Sequence, residues 1–154
     1  FLVISGKSLW LGGAALAVLE GAGAVGTLTG GTLSDRLGRR RMLATVVPLS
    51  ALLMLAFLYA PDRLAMPLLL LLGLTLLSIG PIELAIVQDR CAGQRGTANG
   101  LYMGISFLIT AVVTVSVGWL ADQIGMQAAL SVCALLGLLG TPLVFLLPAG
   151  RTAV

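Results

Sequence analysis

The residues best suited to chemistry fall in one run, Gly31-Thr32-Leu33-Ser34-Asp35-Arg36-Leu37-Gly38-Arg39-Arg40-Arg41. Gly31 would let two helix ends approach closely, and Gly38 would supply the positive φ of a tight reversal. Asp35 can accept hydrogen bonds from amides at a helix N-terminus, where the dipole favours an anion, and Arg36 can pair with it. Arg39, Arg40 and Arg41 suit the headgroups of an anionic leaflet. The plain alternative is a basic turn that sets topology and does nothing else.

Two acids stand apart from this run. Glu20 lies near the middle of an apolar stretch, and no basic residue sits at matching depth. An ionised carboxylate there costs several kcal/mol, so it should face protein or water. It is a candidate for proton coupling or for holding a cationic substrate; the alternative is a protonated acid that merely ties helices together. Glu83 follows Gly80-Pro81, where the missing N–H and the ring clash should kink a helix. A kink beside an acid can be a gate hinge, or simply a bent helix whose acid reaches interfacial water.

Other chemistries find little support. The chain has no histidine, and Cys91 and Cys133 lack metal-ligand spacing, so neither a metal centre nor a cofactor is expected. Asp35, Asp89 and Asp122 are isolated and form no cluster of nucleophile and base, so no catalytic residue is assigned and a membrane-embedded enzyme is disfavoured. Gly21-Ala22-Gly23-Ala24-Val25-Gly26 matches G-x-G-x-x-G, but it lies inside a long apolar stretch without the strand that a dinucleotide site needs. Ala22, Gly26 and Gly30 read instead as a small-residue stripe for close helix packing, as do Gly100 and Gly104.

These residues need elements to carry them. Hydrophobic residues make up 58% of the 154 positions and charged residues 10%, against about 25% charged in an ordinary soluble domain. Crossing roughly 30 Å of hydrocarbon takes about 20 helical residues. Residues 9–31, 42–60, 67–88, 98–120 and 126–147 meet that length, and each is apolar all round. The fold class is therefore all-α, a polytopic membrane helical bundle with five transmembrane helices and the lipid bilayer as its first partner. Residues 34–41 and 89–97 are charged connections; residues 61–66 and 121–125 are tight turns on the other side. Phe1–Ile4 reads as the stump of an earlier span, followed by a turn at residues 5–8.

Basic residues set the orientation. Arg36, Arg39, Arg40, Arg41, Arg90, Arg95 and Arg151 share one side, against Lys7 and Arg63 on the other. The first side should be cytoplasmic, with the C-terminus inside. Trp10, Tyr59 and Trp119 fall at the opposite ends of their spans, where amphipathic rings favour the interface. The arginine cluster thus reads as a topology signal, and no nucleic-acid partner is expected.

Gly-x-x-x-Asp-Arg-x-Gly-Arg-Arg between two spans resembles the loop signature of the major facilitator superfamily. Gln88-Asp89-Arg90 with Arg95-Gly96-Thr97-Ala98-Asn99-Gly100 resembles that family's tenth-to-eleventh connection, and Gly118-Trp119-Leu120-Ala121-Asp122-Gln123-Ile124-Gly125 the end of its eleventh helix. The resemblance covers residues 1–154, as the end of helix seven through helix twelve of a C-terminal six-helix half, and is nearest to multidrug and fosmidomycin-resistance exporters. It implies secondary active transport of a small solute by alternating access, with protons as coupling ion, in the inner membrane and together with an N-terminal six-helix half outside this chain. It also implies a conformational latch at Asp35 and Arg36, shaped by Gly31, Gly38, Arg39 and Arg40. A non-transporting scaffold or partner subunit is the alternative, though a scaffold has no need of a midplane acid such as Glu20.

Overall fold

The computed structural model describes residues 8–91 and 93–146. The Phe1–Ile4 stump, the start of its turn, Arg151 and the last residue of the fifth expected span lie outside them. Among the described residues there are six helices and no strand: α1 (Leu9–Leu37), α2 (Arg39–Tyr59), α3 (Asp62–Leu76), α4 (Ile79–Arg90), α5 (Arg95–Ile124) and α6 (Met126–Val144). Five stretches are long and apolar enough to cross a membrane, with α3 and α4 sharing one, Asp62–Arg90. The five-span, all-α reading of the sequence holds.

The helices overrun the expected charged connections. Residues 34–41 were expected to form a loop, yet α1 continues through Asp35 and Arg36, and the whole reversal is Gly38 at φ 93°. Gly125, at φ 89°, does the same between α5 and α6. Only glycine adopts such angles at little cost. The 29-residue α1 is about 43 Å long, which matches the full bilayer including headgroups. Polar residues at its end therefore stay helical in the headgroup layer.

The expected kink at Pro81 is a break, and it falls earlier, at Leu77–Ser78. Proline at position 81 removes the amide that would bond the Leu77 carbonyl, and its ring crowds that same oxygen. The Thr27 hydroxyl of α1 lies 3.3 Å from the Leu77 oxygen as a donor, shared with its own Gly23 carbonyl at 2.8 Å. A side chain from a neighbouring helix thus replaces the lost ladder bond, as hydrocarbon surroundings require.

That replacement depends on close approach. A Cβ on Gly26 would sit 2.2 Å from the Leu74 carbonyl oxygen, and one on Gly30 would sit 2.5 Å from the Ser78 Cβ. The Ala22/Gly26/Gly30 stripe is accordingly the seam between α1 and the broken span. Among the described residues, a Cβ on Gly31 would meet open space, so Gly31 is outside the seam, and one on Gly100 or Gly104 of α5 would meet nothing within 4 Å. Around the seam, Ala15, Phe57, Leu58 and Leu69 form the buried core that ties α1, α2 and α3 together.

At the end remote from the arginines, the Gln127 amide donates to the Leu58 carbonyl at 2.9 Å, and the Tyr59 and Ser131 hydroxyls are 3.1 Å apart. Leu58 is in the last turn of α2, where carbonyls lack helical partners. Trp10, Tyr59 and Trp119 are all exposed at that end.

The seam makes a sharp prediction. Gly26→Ala drives a Cβ into backbone rather than a flexible side chain, and should cost about 1–3 kcal/mol, read as a lower unfolding midpoint in detergent. Gly140→Ala, with nothing within 4 Å of the new Cβ, should be neutral or gain up to about 1 kcal/mol in helix propensity.

Candidate functional site

Arg36, Arg39, Arg40, Arg41, Arg90 and Arg95 gather at one end of the bundle, carried by the ends of α1 and α4 and the starts of α2 and α5. The centre of the group is Arg39. Its Nη2 lies 3.1 Å from Asp35 Oδ1, and its Nη1 reaches both Asp89 Oδ2 and the Ala85 carbonyl. One planar guanidinium thus joins α1, α2 and α4, using the fork geometry that a lysine cannot reproduce. The Arg39 side chain is 24% exposed, while Asp35 and Asp89 are each 62% exposed. The cation is shielded and its acids face outward.

This differs from the expected pairing of Asp35 with Arg36. α1 stays helical to Leu37, so residues 35 and 36 point about 100° apart, and the reversal at Gly38 brings Arg39 of α2 back beside Asp35. Arg36 is exposed, away from Asp35. Nor does Asp35 cap a helix: the N-cap of α2 is Gly38, with no side-chain cap bond. Arg40 turns the other way, donating to the Phe145 carbonyl at 2.5 Å with its guanidinium 5.7 Å from that ring's centroid. This cation–π contact ties the start of α2 to the end of α6.

The two candidate acids lie apart from this clamp and from each other. Glu20 is exposed on α1, about 100° round the helix from the centre of the glycine seam, and makes no hydrogen bond or ion pair with a described residue. Glu83 lies on α4 two residues after Pro81 and accepts a hydrogen bond from the Tyr102 hydroxyl of α5 at 2.9 Å. Sequence reasoning missed Asp89, Tyr102 and Thr27 as partners. Tyr102 carried a signal. Residues equidistant from a short connection face each other across a helical hairpin, and the connection between α4 and α5 places 83 opposite 102. Asp89 and Thr27 carried none, since nothing local marks either as the partner of a group fifty residues away. Among the described residues, no group of three or more His, Cys, Asp or Glu could hold a metal ion.

Comparison with known proteins accords with this arrangement. The family model of the Major Facilitator Superfamily matches residues 6–153. The chain is 36% identical over 129 residues to the "Uncharacterized MFS-type transporter YfnC" of Bacillus subtilis, covering 84% of this chain and 31% of that protein. It is 29% identical over 127 residues to the fosmidomycin resistance protein of Escherichia coli, covering 80% of this chain and 30% of that one. The chain thus spans about a third of the length of these relatives. No solved structure matches it significantly.

The clamp geometry ranks the arginines. Arg39→Gln should lower the unfolding midpoint of the purified protein, whereas Arg36→Gln should stay within about 0.5 kcal/mol of the parent. Asp35→Asn and Asp89→Asn should each cost about 0.2–1 kcal/mol, and a double-mutant cycle between them should be non-additive because both act through Arg39.

Proposed function

Because the chain belongs to the major facilitator superfamily, we propose that residues 1–154 form most of the C-terminal six-helix half of a twelve-helix secondary transporter. That transporter moves a small solute or drug by alternating access, coupled to protons, and is not an enzyme. It lies in the cytoplasmic membrane, with the arginine-rich end and the C-terminus facing the cytoplasm. The N-terminal six-helix half, a small-molecule solute and protons are its partners.

The Arg39 clamp is the observation that carries this reading. A rocking transporter needs contacts at its cytoplasmic end that hold one state and still release. Exposed ion pairs contribute about 0.2–1 kcal/mol each, so a few of them bias an equilibrium between two states without locking it. Asp35 uses Oδ1 for Arg39 and stays largely open to solvent, which leaves Oδ2 for a donor from the opposite half. The latch is then Asp35, Arg39 and Asp89, with Gly38 setting the turn and Arg40 anchoring α2 to α6. Arg36 serves as a topology charge.

Proton coupling falls to Glu20 and Glu83. Glu20 faces away from its own bundle at a depth where lipid would be costly, so that face of α1 is turned to the opposite half or to a water-filled cavity. Glu83 stands in the second turn of α4, just past the break in the α3–α4 span, where a change of charge can alter how α4 is held.

Fosmidomycin is the first substrate to try, since one relative is named for resistance to it. Expression of the full-length protein in a sensitive bacterium should raise the tolerated concentration severalfold, and Glu20→Gln should erase the gain at unchanged protein level. For the latch, Asp35→Asn should shift cysteine labelling between the two sides of the membrane. A wild-type labelling pattern would reduce Asp35 to a topology signal.

A further inference from the structure

We infer that the arginine-rich end is a binding surface for anionic phospholipid headgroups, with Arg36, Arg41, Arg90 and Arg95 as the groups that hold the phosphates. The partner is the lipid of the protein's own membrane, and the inference does not depend on which solute is carried.

The charge at this end is unbalanced. Six arginines meet only two acids, Asp35 and Asp89, among the described residues. Arg39 takes both acids, and Arg40 is spent on Phe145. The other four arginines are exposed and have no hydrogen-bond or ion-pair partner among the described residues. They form two corners, each straddling a reversal. Arg36 and Arg41 stand either side of Gly38, and Arg90 and Arg95 stand either side of the connection between α4 and α5. Asp35 and Asp89, which Arg39 draws together, are the chain neighbours of Arg36 and Arg90. The two corners therefore share one surface, and their uncompensated like charges repel one another until an anion joins them.

Depth and shape say which anion that is. α1 and α5 are 29 and 30 residues long, about 43–45 Å of helix, which is the bilayer with its headgroups. Arg36 near the end of α1 and Arg95 at the start of α5 are thus level with the lipid phosphates. Every basic residue at this end is arginine. A guanidinium donates two parallel N–H bonds to the free oxygens of a phosphodiester, which the point charge of lysine does not do. Leu33 lies one turn before Arg36 on the same face and is 43% exposed, so an acyl chain finds an apolar seat beneath the charge. A soluble anion would match the arginine alone; a phospholipid matches both. A zwitterionic headgroup carries the same phosphate with an ammonium that the arginines repel, so the preferred lipid is net negative, as phosphatidylglycerol is. At the opposite end the described charged residues are Asp62, Arg63 and Asp122, which make no basic surface.

The test is electron paramagnetic resonance of spin-labelled lipids with the full-length protein in phosphatidylcholine vesicles. Labelled phosphatidylglycerol should be immobilised by the protein about fivefold more strongly than labelled phosphatidylcholine. Changing Arg36, Arg41, Arg90 and Arg95 together to Gln should remove most of that preference. Because losing four basic residues can also disturb insertion, each corner is changed alone as well: Arg36→Gln with Arg41→Gln, and Arg90→Gln with Arg95→Gln. Each double variant keeps the Arg39 clamp and should lose part of the preference, whereas Arg63→Gln at the opposite end should keep all of it. Equal immobilisation of the two lipids by the parent protein overturns the inference. So does a preference that survives undiminished in both corner variants, or one that Arg63→Gln lowers as much as they do.

Discussion

In hydrocarbon, a backbone carbonyl without a donor costs several kcal/mol, and no water is at hand to supply one. Most of this chain meets the requirement by staying helical for as long as it can. The helices run past the apolar segments into the charged ones, and two reversals shrink to single glycines at positive φ. The one interruption within a span has its own remedy. Pro81 takes a donor from the Leu77 carbonyl, and Thr27 brings one from α1. Reaching it requires backbone-to-backbone approach, which is why glycines line that side of α1 and why the α1 seam with the broken span is the tightest in the bundle.

Packing elsewhere is looser and uneven. No residue of the 30-residue α5 is buried, and the face of α1 bearing Glu20 is equally open. An apolar face toward lipid needs no cover. A carboxylate at mid-span does, because its charge or its unmet hydrogen bonds would be costly in lipid. Glu20 therefore separates the two kinds of open surface: α1 presents a face suited to protein or water, whereas the aliphatic surface of α6 suits lipid.

At the arginine-rich end the forces are of a different kind. Arg39 binds three acceptors on two neighbouring helices, and Arg40 binds a fourth on α6 through Phe145. The ion pairs with Asp35 and Asp89 have acids that are largely exposed, and such pairs are individually weak. Together the contacts of Arg39 and Arg40 hold the ends of α1, α2, α4 and α6 in register, while remaining sensitive to a single change of charge. The Glu83–Tyr102 bond joins α5 to the same frame from inside the membrane. In the proposed transporter, these polar ties are what a conformational change would remake, and the glycine seam is what it would carry along intact.

The sequence by itself determined the class of fold, the number of spans and which charged residues gather at one end of the bundle. Those depend on summed hydrophobicity and on charge counts, which need no neighbours. It also marked Gly38 for a positive φ, Pro81 for a disturbed helix and Ala22/Gly26/Gly30 for a close contact, because each follows from local stereochemistry. Only the tertiary structure decided the partners. Asp35 pairs with Arg39 rather than Arg36 because α1 continues through both residues 35 and 36, and the Gly38 reversal then sets the start of α2 beside Asp35. The Leu77 carbonyl found Thr27 fifty residues away, and Glu83 found Tyr102 across a hairpin. A side chain's hydrogen-bonding capacity is written in its type, but which group meets it depends on helix rotation and crossing, and these are fixed by the packing of the whole bundle.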